Sequence, residues 1–122
     1  MATRAGRSDG RRPGEAVARP HRHTLAALRV AMVGDGAVTV VDVRQPHEFD
    51  SGHVRDAINI ALHELPDRLG DLSPDRELWI HCASGYRASI AAALLDRQQR
   101  RVVLIDDDYD NAEKLDITSG SR

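Results

Sequence analysis

The chain has 122 residues, 41% of them hydrophobic and 30% charged, with a formal net charge of −2. That is enough for one compact domain with one core, and no apolar run approaches the roughly 20 residues that span a bilayer. Charge is split unevenly: residues 1–22 carry six arginines against Asp9 and Glu15, a net of +4, and residues 23–122 carry a net of −6. An acidic body argues against nucleic acid as the main partner, because binding phosphates needs a basic surface. The one cysteine cannot close an internal disulfide and fits a reducing compartment. The arginine-rich start lacks the apolar segment of a secretory signal, so a cytoplasmic location is expected.

Residues 1–22 are rich in Gly, Pro, Arg and Ser and hold almost no large apolar side chain. They read as a disordered basic arm. Leu25, Leu28 and Met32 recur at helical spacing over Thr24–Val33, with Thr24 able to cap the helix. Gly34-Asp35-Gly36 stops it. Val38–Val43 is dense in β-branched residues and reads as a strand buried on both faces. Asp42 and Arg44 mark its C-terminal end, where ligands sit in open α/β sheets. Gln45–Gly52 suggests a short helical turn, and His53-Val54 and Ala57–Ile60 a return to extended chain. Leu62, Leu65, Leu69 and Leu72 form a one-sided stripe on a helix, with Pro66 in its first turn or kinking it.

Leu78–His81 is the next strand, and Ala88–Leu95 begins a helix whose small residues Ala88, Ala91 and Ala92 allow close packing on the sheet. Arg101–Ile105 is another strand, Asp106-Asp107-Asp108 ends it, and Tyr109–Leu115 closes the domain as a short helix. The alternation of strands and helices predicts an α/β fold, with a mostly parallel sheet of about four to five strands covered on both faces. The expected boundaries are the arm over 1–22, the domain over 23–117 and a flexible tail over 118–122.

Between the Leu78–His81 strand and the helix that follows it lies Cys82, followed by Ala83, Ser84, Gly85, Tyr86 and Arg87. Only a thiolate is a good nucleophile, and a helix N-terminus offers unpaired N–H groups and partial positive charge. The N–H groups of these five residues are therefore expected to cradle and favour a Cys82 thiolate. Gly85 can take a positive φ, and Arg87 brings a planar fork of donors suited to an oxyanion. Cys82 to Arg87 has the form C-x4-R, one residue shorter than a C-x5-R loop that encloses a tetrahedral oxyanion. This favours sulfur chemistry over phosphatase or arsenate reductase chemistry. The residues offer no metal-ligand spacing, since His21 and His23 lack further ligands, and no metal or cofactor is expected.

These segments together resemble a single-domain rhodanese. The resemblance rests on Asp42-Val43-Arg44 with Glu48-Phe49, on Gly52-His53-Val54 with Ala57–Ile60, on the Leu62–Leu72 helix, and on Cys82–Ser89. It implies a rhodanese-like fold and a sulfurtransferase. Cys82 would carry a persulfide, taking sulfane sulfur from a small donor such as thiosulfate or glutathione persulfide and passing it to a thiol or to cyanide. Ala83, Ser84, Gly85, Tyr86 and Arg87 would bind substrate, with Asp42, Arg44 and Ser89 behind them. In this family Asp42, Arg44 and Glu48 look chiefly structural, with Arg44 paired to Glu48. His81 is expected to point away from Cys82, and His53 to pack or hydrogen-bond.

The resemblance breaks after the last strand. Rhodaneses commonly carry a Gly-Gly-aromatic turn and a tryptophan on the final helix, where this chain has Asp107-Asp108-Tyr109 and Ala112. The acidic cluster reads as a solvated loop with an Asp cap, or as a divalent-cation site. This variant, with HCASGYRAS, is similar to rhodanese modules fused to metallo-β-lactamase-fold enzymes, which implies such an enzyme as partner. The competing reading is a non-catalytic carrier or docking module.

Overall fold

The computed structural model describes residues 21–34 and 38–119. Residues 1–20, which hold most of the expected arm, and Asp35-Gly36 of the expected turn lie outside them. Five parallel strands form the sheet, in the order β1-β6-β5-β2-β4: β1 His21–His23, β2 Val38–Asp42, β4 Ile58–Asn59, β5 Glu77–His81 and β6 Val102–Ile105. A separate antiparallel pair joins β3 His53–Val54 to β7 Thr118–Ser119.

Two of these strands fall where the sequence suggested unstructured ends. His21 and Arg22, expected in the arm, pair with Val103 and Leu104. Thr118 and Ser119, expected in the tail, pair with Val54 and His53. Neither segment is buried enough to announce itself by hydropathy. Both are held by backbone hydrogen bonds to strands far away in sequence, which composition does not report.

The central strands are apolar on both faces, and alternate residues serve two cores. Leu78, Ile80 and Cys82 of the β5 segment join Val41, Val43, Val102 and Leu104 on one face. There they meet α3 (Tyr86–Arg97), whose Ala88, Ala91, Ala92 and Leu95 are all fully buried. Small side chains let this helix sit close to the sheet, as its sequence implied. The same face packs Leu65 of the leucine-striped segment Leu62–Asp71 and Leu72, which caps its end. That segment is a 3-10 helix with Arg68 out of helical geometry, not a regular α-helix. Pro66 supplies no N–H and obstructs an i→i−4 ladder, which accounts for the tighter winding.

Trp79, Val40, Val103 and Ile105 face the other way, toward α1 (Leu25–Met32) and α4 (Asp110–Lys114). Thr24 caps α1 as expected, its Oγ1 accepting the Ala27 N–H at 3.2 Å. A further cap comes from across the chain, where the Asp107 carboxylate accepts the Leu25 N–H at 3.0 Å and the Asn111 side-chain amide at 2.6 Å. Burial alone would push the Asp107 carboxyl up. The N–H groups of Leu25, Asn111 and Asp108 outweigh it and hold the group below its ordinary value. One member of the acidic cluster thus pins α1 to the start of α4. Among the described residues no helix is long and apolar enough to cross a membrane.

Replacing Asp107 with Ala should lower stability by about 1 kcal/mol, the usual cost of a lost helix cap. A shift of the urea midpoint at unchanged slope checks it.

Candidate active site

β5 is the central strand, flanked by β2 and β6, and its C-terminal end delivers Cys82 to the edge of the sheet where α3 begins. The chain turns there through Gly85, which has φ 107° and serves as the N-cap of α3. An L side chain rarely takes that φ, and a Cβ on Gly85 would lie 2.8 Å from Asp106 Oδ1. The backbone conformation calls for glycine, and any larger residue would also have to displace the Asp106 carboxylate.

The turn aims main-chain N–H groups at the sulfur. Gly85 donates to Cys82 Sγ at 3.1 Å and Ala88 at 3.2 Å. Gly85 is among the five donors the sequence suggested, whereas Ala88 lies one residue beyond them, in the first turn of α3. Ser89 braces that turn: its N–H donates to the Gly85 carbonyl at 2.9 Å and its Oγ to the Tyr86 carbonyl at 2.7 Å. Cys82 is 2% exposed and sits at the floor of the loop, while Ser84 and Tyr86 face solvent. Two N–H donors thus converge on one sulfur at a helix N-terminus.

Arg87, expected to meet substrate, has a partner within the fold. Its guanidinium forms a two-pronged ion pair with Glu48 of α2 (Pro46–Asp50), at 2.8 and 3.1 Å. Arg87 holds the Glu48 carboxyl at about 2, well below its ordinary value, against the opposing effect of partial burial. The same pairing raises Arg87. The loop is thereby tied to α2.

Arg44 consequently does not pair with Glu48. It pairs with Asp42, within a fully buried cluster: Nε lies 3.0 Å from both Asp42 oxygens, and Nη2 lies 2.7 Å from Oδ2 and 2.8 Å from the Gly52 carbonyl. Burial opposes the Arg44 charge, but the Asp42 hydrogen bonds and charge outweigh it and the guanidinium is raised. Arg44 covers the Tyr109 ring at 4.0 Å, and His81 stacks on the same ring at 5.9 Å. His81 belongs to the sheet face opposite Cys82, as strand alternation requires. Its burial holds the imidazole below its ordinary value despite Asp42 at 3.6 Å. His53 stacks on Phe49 and its Nδ1 lies 2.9 Å from the Phe49 carbonyl.

Arg44 reaches the Cys82 loop through Tyr109, and Asp42 lies beside His81, whose Nδ1 is 3.4 Å from the Cys82 carbonyl. The Tyr109 N–H donates to the Ala83 carbonyl at 2.8 Å, while its ring rests on Arg44. Sequence reasoning missed this bridge. The available signal was an aromatic residue just after the strand-ending aspartates, but its partners are 26 or more positions away. The acidic cluster holds no cation-like arrangement: Asp107 caps α1, and Asp106 pairs with Arg22 at 2.8 Å.

The family model for the rhodanese-like domain matches residues 25–114, and the chain belongs to that family. It is 38% identical over 68 residues to thiosulfate sulfurtransferase GlpE of Stutzerimonas stutzeri, an alignment covering 56% of this chain and 62% of that protein. It is 28% identical over 81 residues to the putative sulfur carrier protein YrkF of Bacillus subtilis, covering 66% of this chain and 44% of that one. The chain thus spans less than two thirds of either relative's length. A rhodanese-like domain protein from Staphylococcus aureus superposes with a TM-score of 0.69 at 23% identity, over 74% of this chain and 88% of that one. That likeness concerns the fold.

Gly85→Ala should cost about 1–3 kcal/mol through the left-handed backbone and the approach to Asp106, and should distort the sulfur's donors. Thermal melting checks the stability, and the rate of thiol alkylation reports the altered loop. The Arg87–Glu48 pair carries its own pH signature. A folded-state value lowered from 4.5 to about 2 means that its stabilisation is complete above about pH 4.5 and is lost as pH falls toward 2. Glu48→Gln should therefore be less stable at neutral pH and lose less stability across that window, as read from urea midpoints measured against pH.

Proposed function

We propose that the protein is a sulfurtransferase in which Cys82 carries sulfur as a persulfide. The observation that supports this best is the pair of main-chain N–H groups, from Gly85 and Ala88, aimed at Cys82 Sγ. The thiolate attacks the sulfane sulfur of a donor. A Cys82 S–S bond forms, the bond between that sulfur and the donor breaks, and its electron pair leaves with the donor. Thiosulfate would leave as sulfite, and glutathione persulfide as the glutathione thiolate. An acceptor thiol or cyanide then attacks the outer sulfur and releases Cys82 as a thiolate. The same N–H groups stabilise the anionic persulfide, in the manner of an oxyanion hole. Ser84 and Tyr86 line the approach, and Ala83 and Arg87 hold the loop in shape through Tyr109 and Glu48. Likeness to a protein named thiosulfate sulfurtransferase supports the donor class.

A second reading is a sulfur carrier that works on a partner enzyme, with the likeness to YrkF in its favour. A metallo-β-lactamase-fold enzyme is the proposed partner. Slow turnover with free donors that rises when such an enzyme is added would favour it.

Incubating the protein with thiosulfate, and separately with glutathione persulfide, should add one sulfur atom to the intact mass. Cyanide should remove it as thiocyanate. Cys82→Ser should abolish both the mass gain and the thiocyanate. Absence of any gain with either donor would overturn the proposal.

A further inference from the structure

The turn after β6 forms one wall of the Cys82 loop. The Tyr109 N–H holds the Ala83 carbonyl, and Asp106 Oδ1 lies against Gly85, 2.8 Å from where a Cβ would stand. Gly85 is itself one of the two residues that donate to the sulfur. A carboxylate therefore lies against one of the two residues whose N–H groups hold the sulfur. Its other oxygen pairs with Arg22 at 2.8 Å, with both side chains about half-exposed. Asp108 adds a second exposed carboxylate two residues on.

Arg87 is the loop's own cation, and both prongs of its guanidinium are engaged by Glu48. A donor entering the loop thus meets a cation already balanced by a carboxylate and, at Gly85, a half-exposed carboxylate paired with Arg22.

Resting on the sulfur-transfer reading, we infer that Asp106 is a specificity-determining residue: its charge against Gly85 selects sulfur donors of low negative charge over doubly charged ones. Asp106 touches no reacting atom and acts through the field at the loop. Repulsion between charges scales with the product of the two, so a dianion feels about twice the penalty of a monoanion at the same distance. Arg22 sets how much of that penalty reaches the donor.

Two donors with the same sulfane chemistry separate charge from reactivity. Thiosulfate is a dianion and gives up sulfite, whereas methanethiosulfonate is a monoanion and gives up methanesulfinate. In each case one S–S bond forms at Cys82 and one sulfur–sulfur bond breaks in the donor. Loading rates of the full chain should be measured for both donors at low and high salt. Asp106→Asn should raise kcat/KM about five-fold for thiosulfate and about two-fold for methanethiosulfonate, taking surface-like screening of a charge several ångströms away. Arg22→Gln should move both donors the opposite way, with thiosulfate again moving more. High salt should shrink all four changes. Equal factors for the two donors, or an Arg22→Gln change in the same direction as Asp106→Asn, would overturn the inference while leaving the Cys82 persulfide intact. Failure of the unsubstituted protein to load from either donor would instead overturn the sulfur-transfer reading, and this inference with it.

Discussion

The hold of two main-chain N–H groups on one sulfur is the constraint around which the site is built. Gly85 and Ala88 can donate to Cys82 Sγ only if the chain reverses between a strand end and a helix start within a few residues. The strand end is set by β5 lying between β2 and β6. The helix start is set by Ala88, Ala91, Ala92 and Leu95, whose small or apolar side chains seat α3 on the sheet. The reversal needs a left-handed residue, and Gly85 supplies it. Fold and chemistry therefore meet at a single turn, since removing any of the three would point the N–H groups elsewhere.

The charged residues around that turn act mainly as ties. Asp42 and Arg44 form a buried pair at 2.7 Å, and Arg44 supports the Tyr109 ring. Tyr109 holds Ala83, while Glu48 holds Arg87. A buried pair of this kind is weak evidence of stability, because desolvation offsets much of its Coulomb attraction. Its consequence here is positional: two neighbouring elements, α2 and the turn before α4, grip the loop at both ends. Neither grip uses the sulfur, whose hydrogen-bond donors among the described residues are the backbone N–H groups of Gly85 and Ala88. Backbone donors are fixed by the fold and need no side-chain reorganisation when charge develops.

The departure of this chain from the usual family pattern falls in the same place. Where a Gly-Gly-aromatic turn is common, three aspartates follow β6, and each has a different surrounding. Asp107 faces inward and caps α1, Asp106 lies between Arg22 and Gly85, and Asp108 is exposed. A run of like charges that reads as one solvated patch is divided by the fold into a cap, an ion pair and a surface group.

Local chemistry made much of this legible before any coordinates. The β-branched run Val38–Val43, the apolar run before Cys82 and the alanine face of α3 are each dictated by neighbours in sequence, so strand, loop and helix were readable, as was the glycine the turn needs. The 3-10 winding of Leu62–Asp71 was less so, because Pro66 allows either a displaced start or a kink and only packing chooses. Pairings between distant residues were not legible. Arg44 had two acidic neighbours within four positions, and burial of Asp42 decided between them. Arg87 could equally have faced a substrate. The edge strands at His21–His23 and Thr118–Ser119 exist because strands far off in sequence offered them hydrogen bonds. The amino-acid order by itself determined the place of Cys82, its loop and the layers around it, since these follow from short-range periodicity and turn chemistry. Which cation meets which carboxylate, and what stands beside the sulfur, was decided only when the sheet brought distant segments together.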